Sequence, residues 1–199
     1  MFPHALFAKP EAPENKEGII VAFGDSLTAG LGVNAHEAYP ALLERKIKEM
    51  GYTFRVINAG VSGETTAGGV RRIEWVLRNQ PDIVILELGA NDGLRGLSLQ
   101  QMKKNLSKII ERLQREKVKI LLAGMKIPPN YGKRYTEAFE KIYPTLAQRY
   151  QLPLIPFFLE GVASIAELNQ ADGIHPTANG YRIITEEQVW PILKKMIQQ

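Results

Sequence analysis

The sequence has no cysteine and only three histidines, and no apolar run approaches the ~20 residues that cross a bilayer. Without cysteine there is no disulfide, no thiolate nucleophile and no zinc–thiolate site. The histidines His4, His36 and His175 are scattered, and no His-Glu-x-x-His pair occurs, which argues against a metal centre. A basic block is missing too. The 25 Lys and Arg outnumber the 21 Asp and Glu, for a net charge of +4. They are nevertheless interspersed with Glu, as in "KKNLSKIIERLQREKVK", which is the pattern of a solvated helix face and not of a nucleic-acid interface. Internal repeats and low-complexity tracts are absent. At 199 residues, 45% hydrophobic and 23% charged, the chain is expected to be one soluble globular domain.

The first 17 residues, "MFPHALFAKPEAPENKE", hold three prolines and a short apolar patch. With neither a basic start nor a hydrophobic region they do not read as a signal peptide. They are taken as a flexible lead-in, with a single domain over 18–199. The compartment stays open between the cytoplasm and, if an export signal has been removed, the periplasm or the outside.

What is present alternates. "GIIVAF" (18–23), "TFRVINAG" (53–60), "DIVILELG" (82–89), "KILLAGM" (119–125) and "LPLIPFF" (152–158) read as strands. Apolar residues at helical spacing mark helices over 38–51, 66–79, 98–117, 133–150 and 177–197. The third of these is the clearest, with Leu99, Met102, Leu106, Ile109, Ile110 and Leu113 on one stripe. Strand–helix alternation predicts an α/β fold, a mostly parallel five-stranded sheet between helices on both faces, built from right-handed crossovers. In such folds ligands bind beyond the carboxyl ends of the strands.

Those ends carry "GDS" (24–26), "NAGVSGETTAGG" with Asn58, Ser62 and Gly63, "GANDGLRG" with Asn91 and Asp92, "KIPPNYG", and, after the fifth strand, "ADGIHPTANG" with Asp172 and His175. Each block alone is a plausible turn or helix entry. Their joint placement on one sheet edge points to a site. Among the histidines, His4 lies in the lead-in and His36 in a polar loop. His175 stands three residues after Asp172, close enough for the carboxylate to bond one ring nitrogen and leave the other for a nucleophile.

Of the five serines, Ser98, Ser107 and Ser164 read as caps or surface positions, and Ser62 in "GVSGE" falls short of a Gly-x-Ser-x-Gly elbow. Ser26 ends the first buried strand and is the candidate nucleophile. Asp25, its neighbour, would point elsewhere and is assigned to holding the loop backbone. A phosphate cradle at "GDSLTAGLG" fails on spacing and lacks a lysine.

Taken in order, "GDSLTAG", "NAGVSGET", "GAND" and "DGIHP" resemble the four motifs of the GDSL or SGNH hydrolase superfamily, from about residue 18 through nearly the whole chain. "GANDGLRG", "PPNYGKRY" and "LIPFF" are similar to its bacterial TesA-like subfamily of thioesterase I, protease I, lysophospholipase and arylesterase. The resemblance implies a three-layer α/β/α sandwich of flavodoxin-like form, with Ser26 as nucleophile, His175 as base and Asp172 as its orienting acid. It also implies an oxyanion hole from the Ser26 and Gly63 N–H groups and the Asn91 side-chain amide. It implies an ester or thioester with an acyl chain as substrate, a monomer, and no cofactor or metal. Leu94, Ile127 and Tyr131 are the candidate acyl contacts. Glu87, an acid inside an apolar strand, is read as a buried structural group. A carbohydrate O-acetyl esterase with the same triad, or a non-catalytic lipid- or sugar-binding module, are the rival readings.

Overall fold

The computed structural model describes residues 17–198; the lead-in, except for Glu17, lies outside them. The chain begins with β1 (Gly18–Gly24), a one-turn helix α1 (Ser26–Ala29) and α2 (Tyr39–Glu49). Next come β2 (Phe54–Gly60), α3 (Thr66–Leu77), β3 (Ile83–Glu87) and a second short helix, α4 (Ala90–Leu94). The amphipathic α5 (Leu99–Arg115), β4 (Lys119–Ala123), α6 (Lys133–Glu140), α7 (Ile142–Tyr150) and β5 (Leu154–Ile155) follow. The chain closes with α8 (Ala178–Ile183), a π-helical stretch over Ile184–Val189, and α9 (Trp190–Ile197).

Among the described residues the five strands form one sheet in the order β2-β1-β3-β4-β5, every pairing parallel. On one face α3 packs on α5 and α5 on α7, and on the other α2 packs against α8 and the π stretch. The two central strands need apolar side chains on both faces, and Ile20–Phe23 and Ile83–Leu86 are buried throughout. Burial of each Ile or Leu of this kind contributes about 1.5–3 kcal/mol, so the sheet centre is the rigid floor from which the site is built.

Three expectations are corrected. The fifth strand spans two residues instead of seven, because Pro153 and Pro156 flank it and cannot donate to a ladder. The helix expected over 133–150 breaks at Lys141, since Pro144 has no N–H to return to the preceding turn. The last helix widens to a π turn ahead of Pro191, where Thr185 Oγ1 also donates to the Tyr181 carbonyl at 2.7 Å.

Candidate active site

β1 delivers Ser26 to the carboxyl edge of the sheet. Asp25 caps α1, its Oδ1 accepting the Leu27 N–H at 3.0 Å, and so fixes the turn on which Ser26 stands. Gly24 must lack a side chain. A Cβ there would stand 2.5 Å from Glu87 Oε2 and closer still to Thr28 Oγ1. Arg72 ties the strand ends together. It donates to the carbonyls of Gly24 and Ala59 at 3.2 and 2.8 Å, pairs with Glu64, and lies over the Phe23 ring.

The histidine comes from the loop ahead of α8. Asp172 Oδ1 accepts the N–H groups of Ile174 and His175 at 2.9 and 3.0 Å, and Oδ2 lies 2.6 Å from His175 Nδ1. Those two N–H bonds, the His175 one foremost, with the imidazole itself, pull the Asp172 carboxyl down to about 2. An ionised carboxylate only accepts, so Nδ1 carries the proton and Nε2 presents its lone pair. Nε2 lies 2.9 Å from Ser26 Oγ. Gln170 clamps this loop, its side-chain amide donating to the carbonyls of Leu31 and Pro176 at 2.7 and 3.0 Å.

Two further loops complete the rim. Gly63 adopts φ +77°, a left-handed backbone that favours glycine, and its carbonyl accepts from Arg95 at 2.8 Å. Asn91, on α4, donates one amide N–H to Asp25 Oδ2 at 3.0 Å, leaving the other for the cleft. Ser26 N–H heads α1 and takes no partner among the described residues. The structure thus brings Ser26, Gly63, Asn91 and His175 to one cleft, with Asp172 behind the imidazole.

That cleft holds about 520 Å³, with Leu94, Met125, Ile127, Phe157 and Leu159 in its walls. Leu94 and Ile127 therefore stand where the sequence reading put them. Tyr131 does not line it. Its ring lies outside, and its hydroxyl donates to the Leu94 carbonyl at 2.7 Å, bracing the wall from behind. Ser164, read as a cap or surface residue, is exposed and also lines the cleft, at φ +68°. Met125, the last residue of the fourth expected strand, and Leu159, one past the fifth, also line the cleft, at the strand ends where ligands bind, and the sequence reading names neither. Asp92 turns away from the cleft, accepting the Thr66 N–H and hydroxyl at 2.8 and 2.6 Å to start α3. His36 is exposed on a 3₁₀ turn over Ala35–Glu37.

Beneath Ser26 lies a second acid. Glu87, the last residue of β3, is fully buried, and its Oε2 accepts from Thr28 Oγ1 at 2.8 Å and the Asp25 N–H at 3.3 Å. Burial, reinforced by the nearby Asp25 charge, raises its carboxyl well above the usual range. Burial likewise lifts Asp25, to about 6, against the pull of the Leu27 N–H and the Asn91 amide. Among the described residues no cluster of three His, Asp or Glu could hold a metal ion, and no helix is long and apolar enough to cross a membrane.

Comparison with known proteins finds the GDSL-like Lipase/Acylhydrolase family model matching residues 22–183. Esterase TesA of Pseudomonas aeruginosa is 43% identical over 180 residues, covering 89% of each chain. The thioesterase 1/protease 1/lysophospholipase L1 of Escherichia coli K12 is 39% identical over 178 residues, 87% of this chain and 84% of that one. A crystal structure of TesA superposes with a TM-score of 0.86 at 42% identity, covering 89% of this chain and 99% of the other.

Proposed function

The chain belongs to the GDSL-like lipase/acylhydrolase family, and from that premise we propose that it is a serine hydrolase of carboxylic esters and thioesters acting through an acyl-enzyme. One observation carries the reading: the relay Asp172–His175–Ser26, with contacts of 2.6 and 2.9 Å, opens into a cleft with apolar walls.

Ser26 Oγ attacks the acyl carbonyl as its proton passes to His175 Nε2. Asp172 holds the imidazole with Nδ1–H turned inward and stabilises the imidazolium once it forms. The oxyanion is received by the Ser26 and Gly63 N–H groups and the free N–H of Asn91, donors already in place before charge develops; losing one typically lowers kcat ~10²–10³-fold. His175 then protonates the departing alcohol or thiol, and a water, activated by the same nitrogen, releases the acid from Ser26. No step calls for a metal or cofactor.

The walls favour an acyl chain over a polar carrier such as a carbohydrate. Leu94, Ile127, Met125 and Leu159 offer methyl and methylene groups to a fatty chain and no hydrogen bond to a sugar hydroxyl. Esterase, thioesterase and lysophospholipase are the activities in the relatives' names, and the same cleft is proposed to accept their acyl groups here. All five site residues come from one chain, so the reading needs only a monomer.

The test is hydrolysis of p-nitrophenyl esters from acetate to palmitate by wild type and Ser26→Ala. Turnover by wild type is expected to fall ~10⁴-fold or more in the variant, with wild type preferring chains longer than acetate. Equal rates for the two proteins would remove Ser26 as nucleophile, and a strict preference for acetate would move the reading toward an acetyl esterase.

A further inference from the structure

Glu87 has no part in the mechanism above, and an unpaired carboxyl in the centre of a sheet is an expensive thing to bury. It is 0% exposed, and one of its oxygens, Oε1, has no hydrogen-bond partner among the described residues. No Lys or Arg among the described residues forms an ion pair with it or with Asp25. The titratable groups around it are Asp25 on the turn into α1, Tyr39 on α2, Tyr143 on α7 and Tyr181 on α8, each of whose hydroxyls a charge on Glu87 would raise, with His175 beyond Asp25. Arg72 on α3 reaches the carbonyl of Gly24, the sheet partner of Glu87, but its ion pair is with Glu64. Two carboxyl groups in such a place do not both ionise; one keeps its proton.

The donors decide which. Asp25 receives the Leu27 N–H on Oδ1 and the Asn91 amide on Oδ2, and it alone faces the imidazole that becomes positive during turnover. Glu87 receives one hydroxyl and one long N–H bond, both on the same oxygen. The ionised form therefore sits on Asp25 and the proton on Glu87.

Resting on the esterase reading, we propose that Glu87 is a positioning residue: a protonated carboxyl under the nucleophile turn that lets Asp25 stay ionised, and so fixes which end of the Asn91 amide is held. A carboxylate can only accept, so it holds the NH₂ end of Asn91 and leaves that group's second hydrogen for the oxyanion. A protonated Asp25 could donate to the amide oxygen instead and let the group turn over. Glu87 also sets the height of the turn, accepting from the Asp25 N–H and from Thr28 on α1. The absence of a side chain at Gly24 is what gives its carboxyl room.

The experiment compares wild type, Glu87→Gln and Glu87→Leu on p-nitrophenyl butyrate across pH, with folding checked by circular dichroism. Glutamine keeps a neutral group of the same shape, with a carbonyl that can accept from both Thr28 and the Asp25 N–H. It should hold kcat within a few-fold near neutrality. Its kcat should also persist at alkaline pH where that of wild type falls, because the glutamine has no proton to lose. Leucine removes the acceptor and should lower kcat ~10-fold or more, short of the ~10²–10³ for deleting an oxyanion donor, at a KM within about twofold. Superimposable pH profiles for wild type and Glu87→Gln overturn the proposal, as does a glutamine variant as slow as the leucine one. If Glu87→Leu does not fold, the wild-type and glutamine profiles decide alone. A wild type inactive on every ester would instead overturn the esterase reading itself.

Discussion

The histidine loop and the floor beneath Ser26 each hold an aspartate close to a reacting side chain, and the two carboxyls are treated in opposite ways. Asp172 is largely exposed, collects three N–H donors within its own turn, and is pulled down to about 2. Asp25 is buried to 1% exposure, adjoins Ser26 in sequence, and is lifted by desolvation. Asp25 is the neighbour of Ser26, but Asp172 stands three residues before His175. Donor count and solvent agree with that nearness. A carboxylate that must stay charged while an imidazole gains and loses a proton belongs where water and backbone N–H groups hold its charge at every stage. A carboxylate that has only to anchor one amide can be buried, provided a neighbour keeps a proton.

The sharpest way to break this contrast is to remove each charge without changing shape. Asp172→Asn presents an amide that can donate to Nδ1 and so forces the wrong tautomer; kcat should fall ~10⁴-fold. Asp25→Asn still caps α1 through its carbonyl but loses a pure acceptor for Asn91. Its cost in kcat should stay below the ~10²–10³ of an outright lost donor, with KM little changed. Steady-state kinetics on one ester gives both numbers, and equal losses would mean that the two acids share one task.

The smallest effect concerns stability and has a definite sign. Glu87 ionises near 4.5 when unfolded and well above that in the fold. Between those points the native state binds more protons than the unfolded one, so wild-type stability declines as pH rises. Glu87→Gln has no such dependence. Its melting temperature should therefore gain on that of wild type by a few degrees between about pH 5 and about pH 8. A constant gap in thermal melts would mean that Glu87 is already ionised in the fold.

Much of this could be read before the fold was known, and the rest could not, for local reasons. Ser26, Asn91, Asp172 and His175 stand out because each follows an apolar run or a short polar turn, and the strand–helix alternation says where those turns collect. Glu87 is legible as a buried acid, but its partners are not, because Asp25 and Thr28 lie 62 and 59 residues earlier and a single acid in a strand carries no local sign of them. Tyr131 misleads because an aromatic in a proline-rich loop looks like lining, while the direction of its ring depends on Leu94, 37 residues away. The one-turn helices α1 and α4 are too short to show a period. The interruptions at Pro144 and Pro191 were written in the sequence, but helical spacing of apolar residues runs straight through them.

The contact between Ser26 Oγ and His175 Nε2 joins positions 149 residues apart. The serine leaves the first strand of the sheet, and the histidine follows the last. During synthesis from the N-terminus, the proposed nucleophile emerges long before its proposed base, and β5 must find β4 before the two can meet. Contacts of such separation form late in folding. A half-made or half-folded chain thus carries an inert hydroxyl, and hydrolysis begins only when the sheet is complete. On the proposed mechanism, the order of the residues along the chain acts as a timing device, keeping the serine silent until the cleft that governs what it attacks exists around it.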